Sequence, residues 1–226
     1  MPASLAPPIH LLNVSALVLA GGQGMRMGGV DKGLQLLRGK PLVSHALARL
    51  NNQTCGALAH VAISANRNIE QYQSLGFEVV SDVQDWGDYQ GPMAGFHVGL
   101  QRCATDYLLC VPCDAPQFPL DLVQRLMQAV VDGAPDCKLA MAATTAPDGR
   151  LVRQPVFALM HRSLAPSLEA FLNAGERKIA AWAHNQGVAW VVFEHEGDFA
   201  NANTASELAS LEVGAGVVAG AGVGGV

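Results

Sequence analysis

Arg26 and Lys32 lie in the stretch Val18 to Gly33, VLAGGQGMRMGGVDKG, which holds six of the chain's 24 glycines and a single acid, Asp31. The apolar run Ala16-Leu17-Val18-Leu19 leads into it. Glycines let backbone N–H groups approach an anion closely, and two cations inside such a loop point to a phosphate ligand. The loop matches neither common phosphate signature. A dinucleotide fingerprint read from Gly22 and Gly24 would want glycine where Met27 stands, and no lysine is followed by Ser or Thr. Arg38 and Lys40 fall in the same window, so a local basic patch sits on a chain of net charge −5. That contrast suits a small anionic ligand and argues against a nucleic-acid partner, which selects a basic excess or stripe.

A second chemical centre follows the apolar stretch Tyr107-Leu108-Leu109-Cys110-Val111, where Pro112-Cys113 leads to Asp114. A carboxylate at the mouth of a buried strand needs a partner, because an unpaired buried charge is costly. Magnesium is one such partner, since it takes one or two carboxylates and bridges to phosphate oxygens. A cap for the next helix is the other reading. Asp82, behind another short apolar run, is either a site residue or an ordinary turn acid. Cys110 and Cys113 have C-x-x-C spacing, but a zinc site would want a second pair and a redox pair would open a helix. They read as buried structural cysteines. The seven histidines show no ligand spacing, and Trp86, Trp182 and Trp190 read as core or pocket wall.

Elements that position these residues follow from the apolar pattern. Strands are expected at 16–19, 60–64, 78–80, 107–111, 139–144, 156–160 and 188–193. Helices are expected at 41–51, 68–75, 92–101, 119–131, 164–173, 176–184 and 205–211. In the fourth of these, Leu122, Leu126, Met127, Val130 and Val131 form the apolar face and Gly133 ends it. Strands alternating with helices, and early strands that are nearly continuous apolar runs, give an α/β fold: a three-layer α/β/α open, mostly parallel sheet, Rossmann-like. Ligands of such sheets bind outside the carboxyl ends of the strands. Gly21-Gly22, Ser64-Ala65-Asn66, Ser81-Asp82 and Cys113-Asp114 would then meet at one edge.

Half the residues are hydrophobic and 15% are charged, so one large core can form. The expected organisation is a flexible lead-in over 1–14, one domain over 15–211 and a low-complexity Gly/Ala/Val tail over 212–226. The beginning makes a poor signal peptide, no apolar run approaches a membrane span, and five cysteines lack framework spacing. These point to a cytoplasmic protein with no membrane attachment.

Leu19-Ala20-Gly21-Gly22, Arg26-Met27-Gly28 and Lys32 match without a gap the LAGG-x3-RMG-x2-K signature, and the chain resembles the molybdenum cofactor guanylyltransferases of the nucleotidyltransferase fold. GKPLVSHAL, ANR, GPMAG, CDAP, QPVFAL, AGERK and NANTASEL follow in order, so the resemblance runs from about Ser15 to Leu211. It implies transfer of GMP from GTP to Mo-molybdopterin, with Mg2+ as cofactor. Molybdenum-insertion proteins and molybdoenzyme chaperones are the protein partners it suggests. By position, Leu19, Ala20, Gly21 and Gly22 would contact the guanine nucleotide, Lys32 and Arg26 its phosphates, Asp82 the nucleotide, and Asp114 the metal. Asn201 and Asn203 would lie near the metal end, with Arg153, Arg177 and Lys178 toward the pterin phosphate. Ser64 stands where the family often has an asparagine that helps bind GTP, and Asn66 follows two residues later.

Three rivals accompany this expectation. One uses CTP on the same pterin, although that family tends to open on a TAAG-like motif. Another acts on a sugar phosphate. A non-catalytic nucleotide-binding regulator would need the loop but not Asp114.

Overall fold

The structure, a computed structural model, describes residues 13–22, 31–82, 91–134, 136–202 and 204–213. At its centre is a 7-stranded sheet in the order β5-β4-β1-β6-β8-β7-β9. These are β1 (Val14–Leu19), β4 (His60–Ser64), β5 (Glu78–Val80), β6 (Tyr107–Pro112), β7 (Leu139–Thr145), β8 (Leu151–His161) and β9 (Ala189–Phe193). β1 pairs in parallel with β4 and β6, β4 with β5, and β7 with β9. β8 alone runs against its neighbours, antiparallel to both β6 and β7. The mostly parallel, open sheet expected above is therefore the one present.

β1 is apolar apart from Ser15 because both its faces are covered. Val14, Ala16 and Val18 enter one core cluster and Leu17 the other, and β6 divides Leu109 and Val111 from Leu108 and Cys110 in the same alternation. α1 (Leu42–Asn51), α2 (Ile69–Gln73) and α4 (Leu122–Asp132) cover the first face. α3 (Pro92–Arg102), α5 (Ala165–Asn173) and α6 (Ile179–Asn185) cover the second. Gly95 lets α3 ride close to the sheet, since a Cβ there would lie 2.6 Å from Leu19 Cδ2.

A short hairpin, β2 (Leu36–Leu37) and β3 (Lys40–Pro41), precedes α1, and α7 (Ala205–Val213) packs on it through Leu37, Leu42, Ala202 and Leu211. Arg38 takes a left-handed φ of 52° in the hairpin turn and donates from Nη2 to Leu211 O at 2.7 Å. This corrects the expectation of one basic patch: Arg38 serves the last turn of a helix, whose carbonyls lack intrahelical donors. Val131 is a second correction. It is 46% exposed, and Val123 takes its place on the buried face of α4. A step of about 100° past Val130 carries it off the stripe. Gly133 ends α4 as expected.

The amino half of β8 departs most from the sequence reading. The strand begins at Leu151, and between Met141 and Ala142 the register jumps from Ala158 to Gln154, leaving Pro155, Val156 and Phe157 without partners on β7. Proline donates no ladder hydrogen bond and is tolerated at such a bulge. Pairing of β8 with β6 ends at Cys110 and Ala158. Beyond that point the two strands part, and a cleft opens between them.

Candidate functional site

The cleft, about 580 Å³, lies at the carboxyl ends of β1, β4, β5 and β6. Leu19, Ala20, Gly21 and Gly22 line it together with Ser64, Asp82 and Asp114. The polar strand endings meet as expected, because backbone bonds extend the ladder beyond the strands. Ala20 N donates to Ser64 O, Ala65 N to Val80 O and Cys113 N to Leu19 O. Gln154 to Phe157 of the β8 bulge and Gly91, Pro92 and Gly95 of the α3 start complete the walls.

Lys32 reaches the cleft from a single 3-10 turn, Lys32–Leu34. Its Nζ lies 3.5 Å from Asp114 Oδ2, with both side chains largely buried. Burial pushes the Asp114 carboxyl up, and the ammonium of Lys32 opposes this. Asp114 is not a helix cap, since Asp121 holds that position for α4. Its chain is pinned from the other side, where Ala202 N donates to Asp114 O at 2.7 Å and places Asn201 on the cleft wall.

Asp82 is held by Asn66 in two bonds: Asn66 Nδ2 donates to Oδ2 at 2.7 Å, and the Asp82 N–H donates to Asn66 Oδ1 at 2.9 Å. Asp82 Oδ1 is buried with no hydrogen-bond partner among the described residues. Desolvation raises this carboxyl, with Asn66 and the nearby Ser64 hydroxyl opposing. Asn66 thus serves Asp82 and stands behind Gly21, while Arg67 Nη2 donates to Gly22 O at 3.0 Å and steadies the loop start.

A hard divalent ion fits the donor chemistry of Asp114, a mostly buried carboxylate paired with Lys32. No group of three or more His, Cys, Asp or Glu side chains that could hold a metal exists among the described residues. An ion there would complete its shell with water and phosphate oxygens. Cys110 and Cys113 are free, buried thiols whose ionisation burial opposes, as expected of structural cysteines.

Arg26, Asn203 and Trp86 lie outside the described residues. Arg153 is on β8 but off the cleft lining, its guanidinium 5.1 Å from the centre of the Trp190 ring. Arg177 Nη1 donates to Leu172 O and Glu176 O, closing the end of α5. The chain climbs through α5 from beside Asp106 and returns through α6 to β9 beside Ala140. The turn carrying Arg177 and Lys178 therefore comes back to the carboxyl edge without lining the cleft. Thr204 Oγ1 accepts from Glu207 N and caps α7. No helix of the described residues is long and apolar enough to cross a membrane.

Sequence reasoning missed the β8 wall and the acid beside Lys32. Asp31 is 8% exposed and accepts from Tyr72 OH at 2.6 Å, Asn68 Nδ2 at 2.9 Å and Gly33 N at 3.1 Å. The available signal was an acid one residue before a glycine-containing turn, the usual N-cap pattern.

Residues 16–188 match the family described as MobA-like NTP transferase domain. The chain is 48% identical over 203 residues to the molybdenum cofactor guanylyltransferase of Cupriavidus pinatubonensis, covering 89% of this chain and 98% of that one. Against the protein of the same name from Bordetella petrii it is 48% identical over 203 residues, covering 90% and 99%. Among solved structures, molybdopterin-guanine dinucleotide biosynthesis protein A from Archaeoglobus fulgidus superposes with a TM-score of 0.65 at 21% identity, covering 88% of this chain and 96% of that one. A 4-diphosphocytidyl-2C-methyl-D-erythritol synthase from Anaerococcus prevotii gives 0.66 at 12% identity, covering 88% and 94%. At these identities the two structures report the fold alone.

Proposed function

The chain belongs to the MobA-like NTP transferase family, and from that membership and the chemistry of the cleft we propose that it transfers GMP from GTP to the terminal phosphate of Mo-molybdopterin. The supporting observation is the pairing of Lys32 with Asp114 at 3.5 Å across a cleft floored by Leu19 to Gly22. A phosphate oxygen of the pterin attacks the α-phosphorus of GTP. One P–O bond forms, the bond to the β-phosphate bridge breaks, and pyrophosphate leaves. The nucleophile is already an anion, so no protein base is needed.

Gly21 and Gly22 present main-chain groups to the nucleotide, and Asp82 contacts it beside Ser64 and Asn66. Lys32, with Arg26, neutralises charge that develops on the leaving pyrophosphate. Asp114 would hold the divalent ion, taken as Mg2+, which would supply polarisation of the α-phosphate. Asn201, on the cleft wall, then serves the metal end, a role that the family resemblance also gives to Asn203. The pterin lies toward the edge that carries Arg153, Arg177 and Lys178.

Purified protein incubated with Mg2+, molybdate-loaded molybdopterin and each nucleoside triphosphate in turn tests this reading. Pyrophosphate and a pterin guanine dinucleotide are expected with GTP alone. Equal or faster product formation with CTP would overturn the guanine assignment, and no product with any nucleotide would overturn the reaction.

A further inference from the structure

Lys32 is delivered to the cleft by a turn that makes few contacts of its own with the sheet. What holds that turn is a carboxylate pointing away from the cleft. Asp31 accepts from the N–H of Gly33, inside the turn, and from two side chains of the α2 region, Tyr72 OH and Asn68 Nδ2. A buried carboxylate is costly unless its oxygens are fully satisfied, and three donors meet these two oxygens. Tyr72 is itself wholly buried in the first core cluster, so its hydroxyl is a fixed point.

Gly33 adds a steric limit. A Cβ there would collide with Tyr72 OH and come 3.3 Å from Cys113 Sγ. The turn is thus wedged between α2 and the residue before Asp114. On one side stands the Tyr72 hydroxyl, which sets its height, and on another Cys113, next in the chain to the carboxylate that Lys32 faces.

We propose that Asp31, Tyr72 and Asn68 form a positioning clamp that sets the ammonium of Lys32 against Asp114 and hence against the substrate phosphates. The proposal rests on the reading of Lys32 given above. None of the three touches substrate. They act through the backbone of the Lys32 turn.

The test is a double-mutant cycle on GMP transfer. Tyr72→Phe keeps the buried ring and removes only the hydroxyl. Asn68→Gly removes the amide at a position whose φ of 51° glycine adopts freely. Each is expected to lower kcat by about 10-fold to 100-fold, the scale of a small misplacement of a catalytic group, while KM for GTP stays within roughly 3-fold. In a Lys32→Ala background the same changes should alter kcat by less than about 2-fold, because residues acting through one group are not additive. Val130→Ala, in the core of α4, supplies a variant destabilised without touching the clamp.

If Tyr72→Phe lowers kcat no more than Val130→Ala at a matched loss of melting temperature, the clamp is overturned. Full additivity with Lys32→Ala also overturns it, while leaving Lys32 in the site. Wild-type kinetics for Lys32→Ala would remove Lys32 from the reaction, and the clamp with it.

Discussion

Two carboxylates in the cleft are both raised by burial, yet they are held by different partners, Lys32 for Asp114 and Asn66 for Asp82. Asp114→Ala is expected to lower GMP transfer by about 100-fold or more, with measurable GTP binding retained in a calorimetric titration. Unchanged turnover would refute the metal assignment. Asp82 gives a stability prediction whose sign is opposite to that of a salt-bridged acid. The fold raises its carboxyl, so it favours the protonated form. That contribution is present below the ordinary carboxylate range and is lost as pH climbs through the raised value. Asp82→Asn keeps an acceptor for Asn66 and removes the buried charge. Its melting temperature should therefore exceed that of wild type by roughly 2–3 °C at pH 7, with the gap closing as pH falls toward the carboxylate range. A constant gap at every pH would contradict this. Asp114 and Lys32 were legible in the sequence because each follows or sits in a local pattern. Asp31 was not, because its partners Asn68 and Tyr72 lie 37 and 41 residues away and only the folded chain brings them together.

Most elements could be read from apolar runs, and β4 and β5 keep the expected limits to the residue. The amino half of β8 was hidden because Arg153, Gln154 and Pro155 lack the pattern of a paired strand, and a bulge absorbs the proline. That half forms the cleft wall, so its anchoring matters. Phe157 stacks edge-on with Phe118 at 5.6 Å and with Phe199 at 4.9 Å, and Phe199 meets Phe193 at 5.2 Å. Arg125 lies 4.2 Å above the Phe193 ring while pairing with Glu194 at 2.9 Å. Phe157→Ala is expected to cost about 3–5 kcal/mol in chemical denaturation. It should also lower transfer by freeing Gln154 to Val156, and a variant that stays fully active would show the wall to be independent of its aromatic support.

Among the described residues the buried core clusters run from Val14 to Leu211, and the sequence after Val213 is glycine, alanine and valine alone, with few side-chain atoms to pack. We therefore expect a protein ending at Val213 to keep both its melting temperature and its transfer rate. A lower melting temperature on truncation would assign the glycine-rich end a structural part. All five cysteines are free, so a thiol reductant should leave the melting curve unmoved. The reversed direction of β8 has its own effect on how the cleft can change. On the nucleotide side β1 ends at Leu19 and β5 at Val80, so residues added after Gly22 or Asp82 fall outside both strand ladders. Opposite, the wall is the bulge Gln154 to Phe157, held between two paired stretches of one strand, Leu151 to Gln154 on β7 and Ala158 to Met160 on both β6 and β7. One residue inserted between Leu151 and Gln154 would shift that stretch on the β7 ladder and turn the side chains on one side of it to the wrong face. Selectivity for the nucleotide is thus open to changes in length, whereas the facing wall can be retuned only by exchanging one side chain for another.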